Sequence, residues 1–151
     1  TVVIGDSYTK WSLLSRERGV LGYPLAAQVA TTRDGWVQLF QFGATCGGPV
    51  PVEAVPRPMY AAWAAAGREG GALGYPVGPA HTVSRGVAQF FEQGELWALG
   101  SGAARRVYGA VLTQWKAAGG ATGRYGYPVT DTVATGDGRL TCTFEGGAIT
   151  A

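Results

Sequence analysis

Charge is scarce in this chain. Only 15% of its 151 residues are Asp, Glu, Lys or Arg, and they sum to a net charge of +2. Nucleic-acid binding needs a clustered basic face. The sole adjacent basic pair is Arg105-Arg106, so nucleic acid is excluded as a partner. No apolar run approaches the roughly 18 residues of a membrane-spanning helix, so no membrane span is expected. No charged segment followed by an apolar one marks a leader, and any signal peptide is taken to have been removed. Histidine occurs once, as His81, and cysteine twice, as Cys46 and Cys142. So few ligands, so far apart, make no zinc site, and a single His without partners is not by itself a general base. No metal and no cofactor is expected. In an exported chain two cysteines permit one disulfide, Cys46–Cys142; the alternative is two separate buried thiols acting as small hydrophobes.

Glycine, by contrast, is abundant, at 25 of 151 residues against a usual share of about 7%. It is scattered along the chain, which reads as many turns and not as a linker. The turns recur. Leu21-Gly22-Tyr23-Pro24 returns as Leu73-Gly74-Tyr75-Pro76 and as Tyr125-Gly126-Tyr127-Pro128, with offsets 73 − 21 = 52 and 125 − 73 = 52. Trp11, Trp63 and Trp115 keep the same interval, 63 − 11 = 52 and 115 − 63 = 52. A Phe followed closely by glycine, at Phe40, Phe91 and Phe144, is a third landmark. Three landmarks on one period define a tandem repeat.

The expected architecture is therefore α+β and rich in β-structure: one repeat domain over 1–151 with units of about 52 residues at 3–54, 55–106 and 107–151. Each unit opens on a short helix that carries the Trp. Asp6 is the expected N-cap of the first, Pro58 opens the second, and Gly19, Gly67 and Gly119-Gly120 are the stops. The Gly-Tyr-Pro turn follows. A β-hairpin closes the unit, with first strands at Trp36 to Phe42, Val87 to Phe91 and Leu140 to Phe144, and the second clearest at Glu95 to Leu99. A unit this small buries little alone, so the units are expected to stack into one elongated domain.

These landmarks resemble the LGFP repeat family of actinobacterial cell-envelope proteins. The fullest match runs through Leu73-Gly74-Tyr75-Pro76, where Tyr replaces the family's Phe, then Phe91-Glu92-Gln93-Gly94-Glu95-Leu96-Trp97, Gly102-Ala103, Val107-Tyr108-Gly109-Ala110-Val111 and Trp115. The first unit departs from the pattern in its Pro-rich segment Pro49 to Pro58, and the third carries Tyr125 in place of Leu. The resemblance implies an exported, non-catalytic module of the cell wall, often fused to or associated with an envelope enzyme. Its implied partner is wall polysaccharide of the peptidoglycan–arabinogalactan type. It carries no ligand residues across.

Candidate contacts come instead from the aromatic and acidic residues. Trp11, Trp63 and Trp115 occupy the same place in every unit, which marks repeated core. Tyr23, Tyr75 and Tyr127 sit beside proline, where a ring can either pack or line a ligand groove with its hydroxyl wet. Trp36 and Trp97 have no counterparts in the other units; each is a sugar platform or a cross-strand packing residue. Glu92 and Glu145 follow the hairpin Phe, where Gln41 stands in the first unit. Strand alternation turns them outward, either as acceptors for sugar hydroxyls or as solvated charges.

Two other function classes compete with glycan binding. The repeat surface also suits a protein-binding or self-assembling scaffold, for which a flat apolar patch would speak. Val2-Val3-Ile4-Gly5-Asp6-Ser7-Tyr8 is similar to the nucleophile block of Gly-Asp-Ser esterases, whose serine is served by a late Asp–x–x–His. Here Gly78 stands three before His81, and the Ser7 position holds Met59 and Val111 in the other units, so a helix start is the preferred reading.

Overall fold

The tryptophans of the 52-residue series lie on three short helices, α1 (Gly5–Leu13), α2 (Met59–Ala65) and α3 (Gly109–Ala117). Each helix passes into a single 3-10 turn, at 16–18, 68–70 and 120–122. Gly67 (φ +95°) and Gly119 (φ +101°) make the break in the left-handed region, where Ser15 stands in the first set at φ +69°. Asp6 is not the N-cap. The chain is still extended at Ile4, which takes that place, and Asp6 lies in the first helical turn, where its charge faces the positive end of the helix.

The computed structural model describes residues 2–151. Among these the strands form three antiparallel sheets. The first contains β1 (Val29–Ala30), β2 (Trp36–Phe40), β3 (Gly43–Gly47) and β4 (Glu53–Pro56) in that order. The second contains β5 (His81–Val83), β6 (Gly86–Phe91), β7 (Gly94–Leu99) and β8 (Ala104–Tyr108), also in sequence order. The third contains β9 (Val133–Ala134), β10 (Leu140–Phe144) and β11 (Gly147–Thr150). The expected hairpins are β2–β3, β6–β7 and β10–β11. Two further kinds of strand were not expected. Short β1, β5 and β9 come from the polar loops. β4 and β8 satisfy the free edges of β3 and β7 and lead into the next helix; they run across positions 54–55 and 106–107.

Alternation along the strands gives each of the first two sheets two apolar faces. In β2, Phe40 packs beneath α1 with Trp11, whereas Val37 and Leu39 face the next helix. In β6, Phe91 packs with Trp63, whereas Ala88 and Phe90 face the following layer. Helix α2 accordingly lies between β3 and β4 on one side and β7 and β8 on the other, and α3 lies between β7 and β8 and β10 and β11. The core is thus laid down at the junctions.

One set of contacts occurs three times. The indole N–H donates to a glycine carbonyl: Trp11 to Gly22 at 3.0 Å, Trp63 to Gly74 at 2.9 Å and Trp115 to Gly126 at 3.0 Å. The same rings lie on Phe40, Phe91 and Phe144, with centroids 5.9, 6.1 and 5.2 Å apart. Trp63 and Trp115 are fully buried. Trp11 keeps part of its surface, because α1 packs chiefly against β3 and β4.

The disulfide permitted by the sequence is absent. Cys46 on β3 and Cys142 on β10 are free, buried, and packed in different cores. A bridge would need their Cα atoms within about 7 Å.

Candidate functional site

The Gly-Tyr-Pro turns are where the layers lock together. Gly22, Gly74 and Gly126 hold φ of +72°, +74° and +68°. A Cβ there would meet the Gln41, Glu92 or Glu145 Oε1 at 2.7 Å, so only glycine fits. Each of those oxygens accepts the next residue's backbone N–H: Tyr23 to Gln41 at 2.9 Å, Tyr75 to Glu92 at 2.8 Å, Tyr127 to Glu145 at 2.9 Å.

At two junctions the motif reaches back into the preceding sheet. The Tyr75 hydroxyl donates to the Thr32 carbonyl at 2.8 Å and shares a 2.8 Å hydrogen bond with Thr31 Oγ1. The Tyr127 hydroxyl accepts the Arg85 backbone N–H at 2.9 Å and meets Ser84 Oγ at 3.2 Å. Arg33 grips Glu92 with Nη1 at 3.1 Å and Nη2 at 2.5 Å, and Arg85 grips Glu145 at 3.0 and 2.5 Å. Both guanidinium groups also lie over the tyrosine ring, at 5.0 Å for Arg33 on Tyr75 and 4.7 Å for Arg85 on Tyr127. The Arg85 hydrogen bonds, backed by the Tyr127 N–H, lower the Glu145 carboxyl to about 2. Glu92 is lowered likewise, first by Arg33.

This latch commits four of the proposed ligand residues. Tyr75 and Tyr127 are fully buried and have no ring face left for a sugar. Glu92 and Glu145 do point outward, but their oxygens are held by arginine. Tyr23 is different, at 59% exposed. Trp36 is half-buried and lies on Gly47 across the β2–β3 pair, the cross-strand packing arrangement. Arg33 and Arg85 were missed, although their offset, 85 − 33 = 52, repeats the period.

Trp97 is at a second, non-repeated site. It lines a cavity of about 410 Å³ between the second sheet and α3, together with Val83, Ser84, Lys116, Ala121 and Tyr127. Its ring is 8% exposed and stands edge-on to Trp115 and Tyr127, at 5.2 and 5.7 Å. The indole N–H donates to Glu95 Oε2 at 2.8 Å, and Glu95 Oε1 pairs with Lys116 Nζ at 2.6 Å. At the corresponding positions of the preceding junction stand Ala44, Cys46 and Ala64. There Glu69, in place of Ala121, packs a carboxylate with 9% side-chain exposure near the Cys46 thiol. Glu69 thus stands at one junction where Ala121 stands at the other, and the second has the cavity lined with aromatic rings.

The serine of the Gly-Asp-Ser stretch is fully buried. Its Oγ donates to Gln38 Oε1 at 2.7 Å and contacts Thr45 Oγ1 at 2.7 Å. His81 is exposed beside the Pro79 carbonyl, and the partners of the Ser7 hydroxyl among the described residues are Gln38 and Thr45. No cluster of metal-ligating side chains occurs among the described residues, and no helix is long and apolar enough to cross a membrane.

A family model described as LGFP repeat matches residues 73–123. No curated protein matches the chain.

Proposed function

With residues 73–123 an LGFP repeat, of a cell-wall-associated repeat family, we propose that this chain is a non-catalytic envelope module of three stacked copies that holds wall glycan in the aromatic cavity beside α3. Moving the match back by one period, 73 − 52 = 21 and 123 − 52 = 71, lands on Leu21 and Gly71, which bound the preceding copy. The recurring tryptophan–glycine hydrogen bonds support that count. The location is extracellular.

The observation that carries the glycan reading is the change at one junction from Ala44, Cys46, Ala64 and Glu69 to Glu95, Trp97, Lys116 and Ala121. The preceding junction packs its core with the smaller Ala44 and Cys46 at these positions, so packing does not require the larger, polar set. Of the rings that line it, Trp97 is the one that keeps exposed surface. That surface, with polar groups at its rim, suits a pyranose whose C–H face packs there while its hydroxyls meet Ser84 and Lys116. The one cation in the lining is already paired with Glu95, which favours a neutral sugar. A single site gains little over water, and retention on a polymer comes from multivalency.

Ala121→Glu reproduces Glu69 of the preceding junction and tests the reading without removing core. The folded protein is spun down with purified insoluble wall and with wall stripped of arabinogalactan. The parent is expected in the pellet and the variant in the supernatant. Equal recovery of both in the pellet, or of neither, would sink it.

A second reading, the scaffold, draws on the face of α1. Val2, Ile4, Tyr8 and Tyr23 are 40–69% exposed there, and residues 2–4 have no strand partner, whereas the matching β4 and β8 are paired. That face suits another sheet of the same kind. Sedimentation over a concentration series separates the two: a monomer throughout removes self-assembly.

A further inference from the structure

We infer that a second, anion-binding site lies on the opposite side of the second layer, in a cavity of about 610 Å³ between α2 and β8. Its floor is alanine: Ala61, Ala62, Ala65 and Ala104. The matching cleft beside α1 holds Thr9, Lys10, Leu13 and Val52 and encloses only about 250 Å³. The offsets, 61 − 9, 62 − 10, 65 − 13 and 104 − 52, are all 52. Where the first cleft has Thr9, Lys10, Leu13 and Val52, the second has four alanines, and its space is open.

Two arginines flank that space, Arg57 and Arg106. Among the described residues neither makes an ion pair; the pairs formed by arginine involve Arg33, Arg68, Arg85 and Arg139. One face of the Arg57 guanidinium rests on the Phe42 ring, 4.0 Å from its centroid, which leaves its N–H edges free. Arg106 Nε is buried and, among the described residues, has no hydrogen-bond partner. A buried donor of this kind calls for a partner, whether ordered water, ion or ligand. The one carboxylate in the lining, Asp131, accepts the Arg106 backbone N–H at 2.9 Å, so the site retains a net charge of +1 from Arg57, Arg106 and Asp131.

A guanidinium edge matches an oxyanion in a bidentate way, and an alanine floor accepts the apolar face of the body that carries it. The ligand class is therefore a carboxylate or phosphate on a body of sugar size. The site shares no lining residue with the aromatic cavity, and Ala121→Glu leaves it untouched, so the two readings stand or fall separately.

The test titrates the folded chain with three probes of like size, followed by NMR shifts of the alanine methyls. N-acetylmuramic acid supplies a carboxylate, N-acetylglucosamine 1-phosphate a phosphate, and N-acetylglucosamine neither. At least one anion is expected to bind at millimolar strength or better, more weakly as salt is added, while the neutral sugar does not shift the Ala61, Ala62 and Ala65 signals. The preferred arm names the source. Arg57→Gln with Arg106→Gln should weaken binding at least about tenfold. Ala65→Leu, which keeps both charges and an exposed helix position, should block it. Binding of the neutral probe equal to the anions, silence of both anions at tens of millimolar, or full binding by Ala65→Leu would overturn the assignment.

Discussion

Arg85 closes on Glu145 from 60 residues away in sequence, Nη2 to Oε1 at 2.5 Å, while the same oxygen holds the Tyr127 backbone N–H at 2.9 Å. Arg33 and Glu92 make the same closure one layer earlier. The carboxylate is the hub: it straightens its own Gly-Tyr-Pro turn and clamps the preceding sheet.

Acid should therefore loosen the latches first. The folded-state value of Glu145 is about 2 against an ordinary 4.5. A depressed carboxyl contributes its stability in full above the unfolded value and loses it as pH falls toward the folded one. Melting temperature should decline between about pH 4.5 and pH 2, with Glu92 adding in the same direction. Glu145→Gln should melt lower at pH 7 and show a shallower decline below pH 4.5. An unchanged pH profile in that variant would remove the latch from the account.

The three tryptophans share partners but not burial, and their substitutions should rank accordingly. Trp63→Ala should cost about 3–5 kcal/mol, since it empties a fully buried site and strips the donor from the Gly74 carbonyl. Trp115→Ala belongs with it. Trp11→Ala should cost less, because its ring is partly open and α1 packs chiefly against one sheet. Urea denaturation at neutral pH measures all three; equal losses would mean that burial does not set the ranking.

Much of this was legible in the sequence, for a physical reason. Tryptophan, Gly-Tyr-Pro and Phe-Gly are punctuation residues whose backbone or volume demands are hard to meet otherwise, and their 52-residue recurrence exposes the period. The edge strands β1, β4, β5 and β8 were not legible. Two to five residues long, they are set by an available sheet edge and not by their own pattern. Asp6 looked like a cap but lies inside the helix, because the preceding extended segment ends at Ile4. For the tyrosines and glutamates the sequence left packing or solvation and ligand contact both open. Their engagement depends on Arg33 and Arg85, in loops of no regular pattern. Trp36 and Trp97 were singled out together because they break the repeat; Trp36 packs across its strand pair and Trp97 lines the aromatic cavity.

The thiols should be silent until the chain unfolds. Burial raises both Cys46 and Cys142, and Cys46 is raised further by the nearby carboxylates of Glu69 and Glu53. A raised pKa leaves little thiolate to react. Alkylation in native buffer should label neither residue over hours, and denatured protein should take two equivalents. Mobility on non-reducing gels should match that on reducing gels, and rapid labelling of one thiol in the native state would place it at the surface.

Ser7 supplies the last test, because two histories of that residue predict different losses. In the structure it is a core residue: its hydroxyl satisfies Gln38 Oε1 and meets Thr45 inside the first layer. Ser7→Ala leaves a buried amide oxygen without its donor, which should cost about 1–3 kcal/mol. Later layers place Met59 and Val111 at this position, and Leu96 and Ile149 at that of Thr45. The joint change Ser7→Met with Thr45→Leu imitates the second layer, where the equivalent Gln89 Oε1 is likewise buried without a donor among the described residues. It leaves Gln38 Oε1 orphaned and should recover stability relative to Ser7→Ala only through the apolar volume it adds. Recovery on wall should be the same for all three proteins. A Ser7→Ala variant of full stability that lost a hydrolytic activity of the parent would restore the esterase reading; loss of stability with wall retention unchanged keeps the residue in the core.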